Sequence, residues 1–301
     1  MKKLLTLMLS ATMMCAMLAG CSSDDTTTNS GNTGNDSGNT STTATGKITV
    51  ISREDGSGTR GAFTEITGVD DGSGDRTTVE ANVQDSTGKV MTEVLGNPQA
   101  IGYISLGSLN DTVKAISVDG VYPTSETIAD GTYAVARPFN IAIKTGADLN
   151  PIAIEFLEFI FTQEAQDIAV ASGYIAVDVT TENFVSNMPS GTITVGGSTS
   201  VSPLMEKFIE AYNEINPNAT INLEGLGSSA GMTGAIDGTF DIGMASRDIK
   251  ESELADLTGV ACAIDGIAII VNTANPLSNI TMEELVNVYI GESTTFDEIS
   301  Q

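Results

Sequence analysis

Ser52-Arg53-Glu54-Asp55-Gly56-Ser57-Gly58-Thr59-Arg60 sets a guanidinium, several hydroxyls and two glycines side by side. The chemistry such a stretch can do is the capture of an oxyanion. Arg53 offers a planar fork for two oxygens of a tetrahedral anion. Ser57 and Thr59 add hydroxyl donors, and Gly56 and Gly58 let an oxygen approach the backbone. The β-branched run Ile48, Val50, Ile51 precedes the stretch and Gly61 to Ile66 follows it. That order predicts a strand that breaks and enters a helix, whose first N–H groups lack intrahelical partners and face an incoming anion. Asp55 is expected to orient Arg53, and Arg60 to lie beyond the turn on a solvent-facing helix.

A single match of this kind is also what an ordinary capped turn looks like. The pattern recurs, however. Thr192 to Val195 reads as a strand, Gly196-Gly197-Ser198-Thr199-Ser200-Val201-Ser202-Pro203 as a hydroxyl loop, and Leu204, Phe208, Ile209 and Tyr212 as a helical stripe. Ile221 to Leu223 leads into Gly227-Ser228-Ser229-Ala230-Gly231 and then Met232 to Ile236. Asp241-Ile242-Gly243-Met244-Ala245-Ser246-Arg247-Asp248 is a fourth turn, followed by an acid-rich helix. Four Ser/Thr–Gly turns at strand-to-helix junctions predict an α/β protein with its ligand at the strand C-termini.

Other elements must hold these turns in place. Ser86 opens a helix that stops at Gly96-Asn97-Pro98. Ile101 to Leu106 and Val113 to Val118 read as strands, and Pro123 to Ala129 as a short helix. Tyr133 to Lys144 is too long for one ordinary strand and is expected to cross between lobes. Asn150-Pro151 begins an apolar helix ending at Ile160, and Thr162 begins another that Gly173 stops. Val260 to Val271 reads as strand, turn at Asp265-Gly266, strand. Thr281 caps a last helix, ended by Gly291.

The chain has 301 residues, a net charge of −26 and no histidine or tryptophan. Without histidine there is no Ser-His-Asp triad, no imidazole base and no His-ligated metal. The charge argues against nucleic acid as a partner; no metal or cofactor is expected. Met1-Lys2-Lys3 followed by the apolar run Leu4 to Met17 reads as a signal segment. It ends in Leu18-Ala19-Gly20-Cys21, similar to a bacterial lipobox, so residues 1–20 are expected to be removed and Cys21 lipidated. Residues 21–46, rich in Ser, Thr, Asn, Gly and Asp, are then a flexible tether on the outer face of the membrane.

Taken together, Gly197 to Leu204, Gly227 to Gly231, Asp241 to Arg247, Asp265 to Asn272 and Ser52 to Arg60 resemble the phosphate-binding lipoproteins of bacterial phosphate ABC transporters. Asn97-Pro98 with Ile101-Gly102-Tyr103, Arg137-Pro138-Phe139 and Gly173-Tyr174-Ile175 resemble that family too. The resemblance covers nearly all of residues 48–301 and implies a two-lobed periplasmic-binding-protein-like fold of type II, with the ligand between lobes. In the family the segment like 191–299 comes first and the segment like 48–177 second. Here they are exchanged, as in a circular permutation, though a window from a tandem duplication or a truncated gene fits as well. The implied lobes are 140–275 and 47–139 with 276–301, and residues 178–190 join the family's usual termini.

Carried over by motif, the resemblance implies phosphate contacts at Arg53, Ser57, Gly58 and Thr59 from one lobe. From the other it implies Thr199, Ser200, Val201, Ser228, Ser246 and Arg247. Where family members carry an aspartate that accepts the ligand proton, this chain has Arg247 with Asp248 behind it, which leaves the acceptor open. The implied function is capture of inorganic phosphate for an ABC permease, without enzymatic chemistry. Receptors for sulfate, molybdate or tungstate, a surface phosphate-sensing module, and a phosphotransfer enzyme using Ser57 or Ser200 remain as alternatives.

Overall fold

In a computed structural model, residues 44–300 are described. The expected signal segment, Cys21 and all but the last residues of the expected tether lie outside them. The strands are β1 (Thr49–Arg53), β2 (Asn82–Gln84), β3 (Ala100–Ser105), β4 (Val113–Ala115), β5 (Ser117–Val118), β6 (Ala136–Lys144), β7 (Gly191–Gly197), β8 (Ala219–Gly225), β9 (Ile242–Ala245), β10 (Leu257–Asn272) and β11 (Asn279–Ile280). The helices are α1 (Gly58–Thr67), α2 (Thr87–Gly96), α3 (Ser125–Ala129), α4 (Pro151–Ile160), α5 (Gln163–Ala171), α6 (Ser202–Ile215), α7 (Ser228–Asp237), α8 (Glu251–Leu254) and α9 (Met282–Ile290).

Helix starts follow local chemistry. Ser57, Ser86, Thr162 and Thr281 each accept a backbone N–H at an N-terminus, and Asn150 does so ahead of Pro151, satisfying donors the helix leaves unpaired.

One mixed sheet runs β2-β1-β3-β10-β6-β9-β7-β8, with β4 also on β10. Pairing is parallel at both ends, where strand–loop–helix units stack, and antiparallel at the centre. β10 joins the two ends: Ile267–Val271 pairs with β3, whereas Leu257–Gly266 pairs with β6.

The hydrophobic core divides along the same line. One cluster draws on residues 44–135 and 267–299, around Phe63, Tyr103 and Tyr289. The other draws on residues 139–263, around Phe156, Phe159, Phe208 and Tyr212. Smaller clusters under α2 and α7 cover the opposite sheet faces, so β3 and the last part of β10 are buried on both sides. β6 and β10 are the segments that pass from one core to the other.

The expected turn at Asp265-Gly266 does not form. β10 continues through it because Asp265 lies opposite Arg137 and Gly266 opposite Ala136 on β6, and ladder pairing leaves no backbone group there seeking a turn partner. The folded body also starts before Lys47: Ala44 is buried, and the Phe296 N–H donates to the Gly46 carbonyl at 2.9 Å. Residues 178–190 are fastened as well as connecting. Buried Glu155 on α4 accepts from Ser186 Oγ, from the Asn187 N–H at 2.8 Å and from Tyr212 Oη at 2.8 Å. Among the described residues no helix is long and apolar enough to cross a membrane.

Candidate functional site

The N-termini of α1, α2, α6 and α7 converge where the two cores meet, and each brings a hydroxyl. Thr59 Oγ1 lies 2.9 Å from Ser200 Oγ and 3.1 Å from Ser246 Oγ. Thr87 Oγ1 lies 3.0 Å from Ser200 Oγ. Ser198 Oγ donates to Ser246 Oγ at 2.9 Å, and Ser228 Oγ accepts from the Ser246 N–H at 3.1 Å. All of these side chains are buried. Helix N-termini turned on one point make a positive, water-poor cradle for an anion.

Arg53, at the end of β1, enters the same cluster. Its Nη2 donates to Thr199 Oγ1 at 3.1 Å and its Nη1 to Thr87 Oγ1 at 3.4 Å. Because a guanidinium has no acceptor, a hydroxyl it donates to must send its own proton elsewhere. The strand end is held by Tyr103, whose hydroxyl accepts from the Arg53 N–H at 3.1 Å and bonds Ser52 Oγ at 3.0 Å. Burial pushes that phenol up to about 12, so it stays neutral and able to donate.

The residues implied at sequence level divide into three groups. Arg53, Thr59, Thr199, Ser200, Ser228 and Ser246 meet by direct hydrogen bonds. Gly58 belongs to the wall: a Cβ there would sit 2.3 Å from Ser228 Oγ across the cleft. Ser57, Val201 and Arg247 have other engagements. Ser57 Oγ accepts from the Arg60 N–H, and Val201 packs into the second core. The Arg247 guanidinium is held by Glu253 at 2.8 and 2.9 Å, with only its stem against Gly58.

Two expectations need correction. Arg53 is oriented by Glu54, not Asp55; Asp55 is exposed and pairs with Arg60 at 3.0 Å, because the turn after Glu54 carries the next side chain outward. Arg60 does not face open solvent. It donates to the Arg53 carbonyl at 2.9 Å and to Asp75 at 2.6 Å.

Thr87, Ser198, Arg137 and Asp265 are not among the contacts expected from the sequence, although Ser198 lies in the hydroxyl loop, Arg137 in a family-like motif and Asp265 in the expected turn. Thr87 carries the signal the other units carry, a hydroxyl beside glycine at a helix start, but Ser86 accounts for that turn as a cap. Arg137 Nη2 donates to Thr59 Oγ1 at 3.3 Å and Nη1 to the Asp265 carboxylate. Burial disfavours the charged form of both, pushing Asp265 up and Arg137 down, while each partner's charge opposes that change. Each cleft arginine thus has a carboxylate partner: Glu54 for Arg53, Asp265 for Arg137 and Glu253 for Arg247. With those charges paired, what the cleft offers an anion is aimed N–H and O–H dipoles more than excess positive charge.

Two α/β cores joined by crossing strands, with helix N-termini and hydroxyls facing one another in the cleft, define a solute-binding protein. A family model described as a PBP superfamily domain matches residues 9–164 and 185–299. "Phosphate-binding protein PstS 2" of Streptococcus pneumoniae (TIGR4) is 46% identical over 270 residues, covering 88% of this chain and 92% of that protein. The protein of the same name in Streptococcus agalactiae serotype V is 36% identical over 306 residues, covering 100% and 99%. The crystal structure of a phosphate-binding protein of a phosphate ABC transporter from S. pneumoniae TIGR4, 46% identical, superposes with a TM-score of 0.67 over 85% of this chain and 100% of that one. The chain belongs to the PBP superfamily and, within it, to the PstS family of phosphate-binding proteins.

Proposed function

We propose that this chain captures inorganic phosphate in the cleft between its two cores and presents it to an ABC permease, without chemistry on the ligand. The observation that carries the reading is the meeting of Arg53 with Thr59, Thr87, Thr199, Ser200 and Ser246 from both sides of the cleft. Such donors, aimed at one point, suit a tetrahedral oxyanion; the relatives' names supply phosphate as the ligand to test first. The lobes close on it by a hinge through β6 and β10.

Binding without turnover fits the surroundings of the serines. The partners of Ser200 Oγ are hydroxyls, and Ser57 Oγ caps α1, so neither touches an activating base. Burial pushes the Cys262 thiol up to about 12, which keeps it inert. Calorimetry with phosphate, sulfate, molybdate and tungstate tests the ligand. Tight phosphate binding with little sulfate competition is expected, and equal affinity for sulfate overturns the assignment.

The Cys21 lipid tether and an extracellular location belong to the same proposal. Cys21→Ser should release the chain from membranes and leave phosphate affinity unchanged; retention of the variant overturns the tether. Circular permutation is proposed too, since the Ile48 N–H donates to the Thr294 carbonyl at 2.8 Å, so both ends of the described chain adjoin. The alignment with the S. agalactiae protein runs through both halves, so that relative has them in the same order. Opening the chain at 183–185 and joining 301 to 44 by a short loop should still yield a phosphate-binding protein; failure to fold overturns the permutation.

A further inference from the structure

Arg137 comes to the cleft from a crossing strand and not from a strand–loop–helix unit. It lies on β6 directly opposite Asp265 of β10, and the two side chains are 2% and 0% exposed. Both sit where their strands leave one core for the other, Arg137 between Val135 and Phe139, Asp265 between Ala263 and Ile267.

One end of the guanidinium is committed to β10. Nη1 donates to the Asp265 carboxylate and to the carbonyls of Asp265 and Gly266 at 3.2 and 2.9 Å. Asp265 accepts in turn from the Gly107 N–H at 3.2 Å. The guanidinium carbon lies 5.0 Å from the Phe139 ring centroid, a stacking contact that helps hold the group's orientation. With that end held, Nη2 reaches Thr59 Oγ1 at 3.3 Å.

We propose that Arg137, held by Asp265, is a positioning residue for anion capture: it commits the Thr59 hydroxyl proton to the cleft, so that Thr59 meets the ligand as a donor. A guanidinium only donates, so the hydroxyl that accepts from it has one hydrogen, which must point elsewhere. The other neighbours of Thr59 Oγ1 are Ser200 and Ser246, both in the cleft. Asp265 supplies the counter-charge that lets a buried arginine act here, since a lone buried charge is strongly destabilising. This inference rests on the phosphate reading.

A double-mutant cycle on the full chain tests it, with inorganic phosphate as titrant and thermal melting as the folding check. Arg137→Lys keeps a charge for Asp265 but lacks the second arm for Thr59. It should weaken phosphate binding about tenfold, the effect of losing roughly one hydrogen bond to a charged group. In a Thr59→Val background the same change should cost less than about twofold, whereas in Thr59→Ser, which restores the hydroxyl, the tenfold loss should return. Equal losses in all backgrounds, or no loss in any, overturn the inference while the phosphate reading stands. Failure of the unmodified chain to bind phosphate overturns both. If Arg137→Lys does not fold, Arg137→Gln with Asp265→Asn, a neutral pair with a shorter arm, carries the same cycle.

Discussion

Arg53 and Glu54 are neighbours in the chain and partners in space. Arg53 Nε donates to Glu54 Oε2 at 2.8 Å and Nη2 to Glu54 Oε1 at 2.9 Å. The two-point grip fixes the guanidinium plane, leaving Nη1 for Thr87 and a further Nη2 bond for Thr199. The Arg53 side chain is 3% exposed and that of Glu54 24%, so the guanidinium is screened from water while its carboxylate partner stays partly wet.

Arg53→Ala should therefore weaken phosphate binding by ~2–5 kcal/mol, the usual cost of removing a buried charged partner. Arg60→Ala should cost far less, because Arg60 reaches the site only through the Arg53 carbonyl. Glu54→Gln should fall between them. Calorimetric dissociation constants check the order, and a loss below tenfold for Arg53→Ala removes it from the site.

Gly58→Ala should impair closure and spare folding. Its Cβ would meet Ser228 Oγ at 2.3 Å and Arg247 Cγ at 3.0 Å. Both neighbours lie on the far side of the cleft, so the clash exists only when the cleft is shut. Phosphate affinity should drop about tenfold or more, the effect of a ~1–3 kcal/mol overpacking cost, with the melting temperature of the unliganded chain little changed. An equal loss of stability without ligand would show that Gly58 is needed by the fold itself.

Glu253 gives a pH signature. Burial by itself would raise its pKa, but hydrogen bonds from Arg247 and the Lys250 backbone, together with their charges, bring it net below the ordinary 4.5. A depressed folded-state pKa adds stability above the unfolded value and loses it as pH falls through the folded one. Glu253→Gln should thus be less stable than the unmodified chain near neutrality, and the gap should close below pH 4.5. Parallel denaturation curves with a constant gap from neutral to acid pH contradict this account.

The 178–190 segment should tolerate insertion at one place and resist it at another. A Gly/Ser insertion at 183–185, where Val185 is exposed, adds only loop entropy, ~0.6 kcal/mol per doubling of length. Insertion at 186–187 pulls Ser186 and Asn187 off Glu155. Leaving that buried carboxylate short of donors should cost ~1–3 kcal/mol, as should Glu155→Ala, which strands Tyr212 as well. Urea midpoints for the variants separate the two sites.

Short-range chemistry decided much of this protein in advance. Ser57, Ser86, Asn150, Thr162 and Thr281 cap helices because each needs only a backbone N–H two or three residues away. The recurrent strand–hydroxyl loop–helix units likewise placed Arg53, Thr59, Ser200, Ser228 and Ser246 at strand C-termini, where the fold brings them together. Tertiary structure alone decided the partners. Glu54 and Asp55 are equal candidates for Arg53 in one dimension, and the direction of the turn after Glu54 separates them. Asp265-Gly266 has the composition of a turn, and only the register of β10 on β6 makes Asp265 the buried partner of Arg137. Cross-strand register depends on residues more than a hundred positions apart, so no local pattern announces which acid meets which arginine.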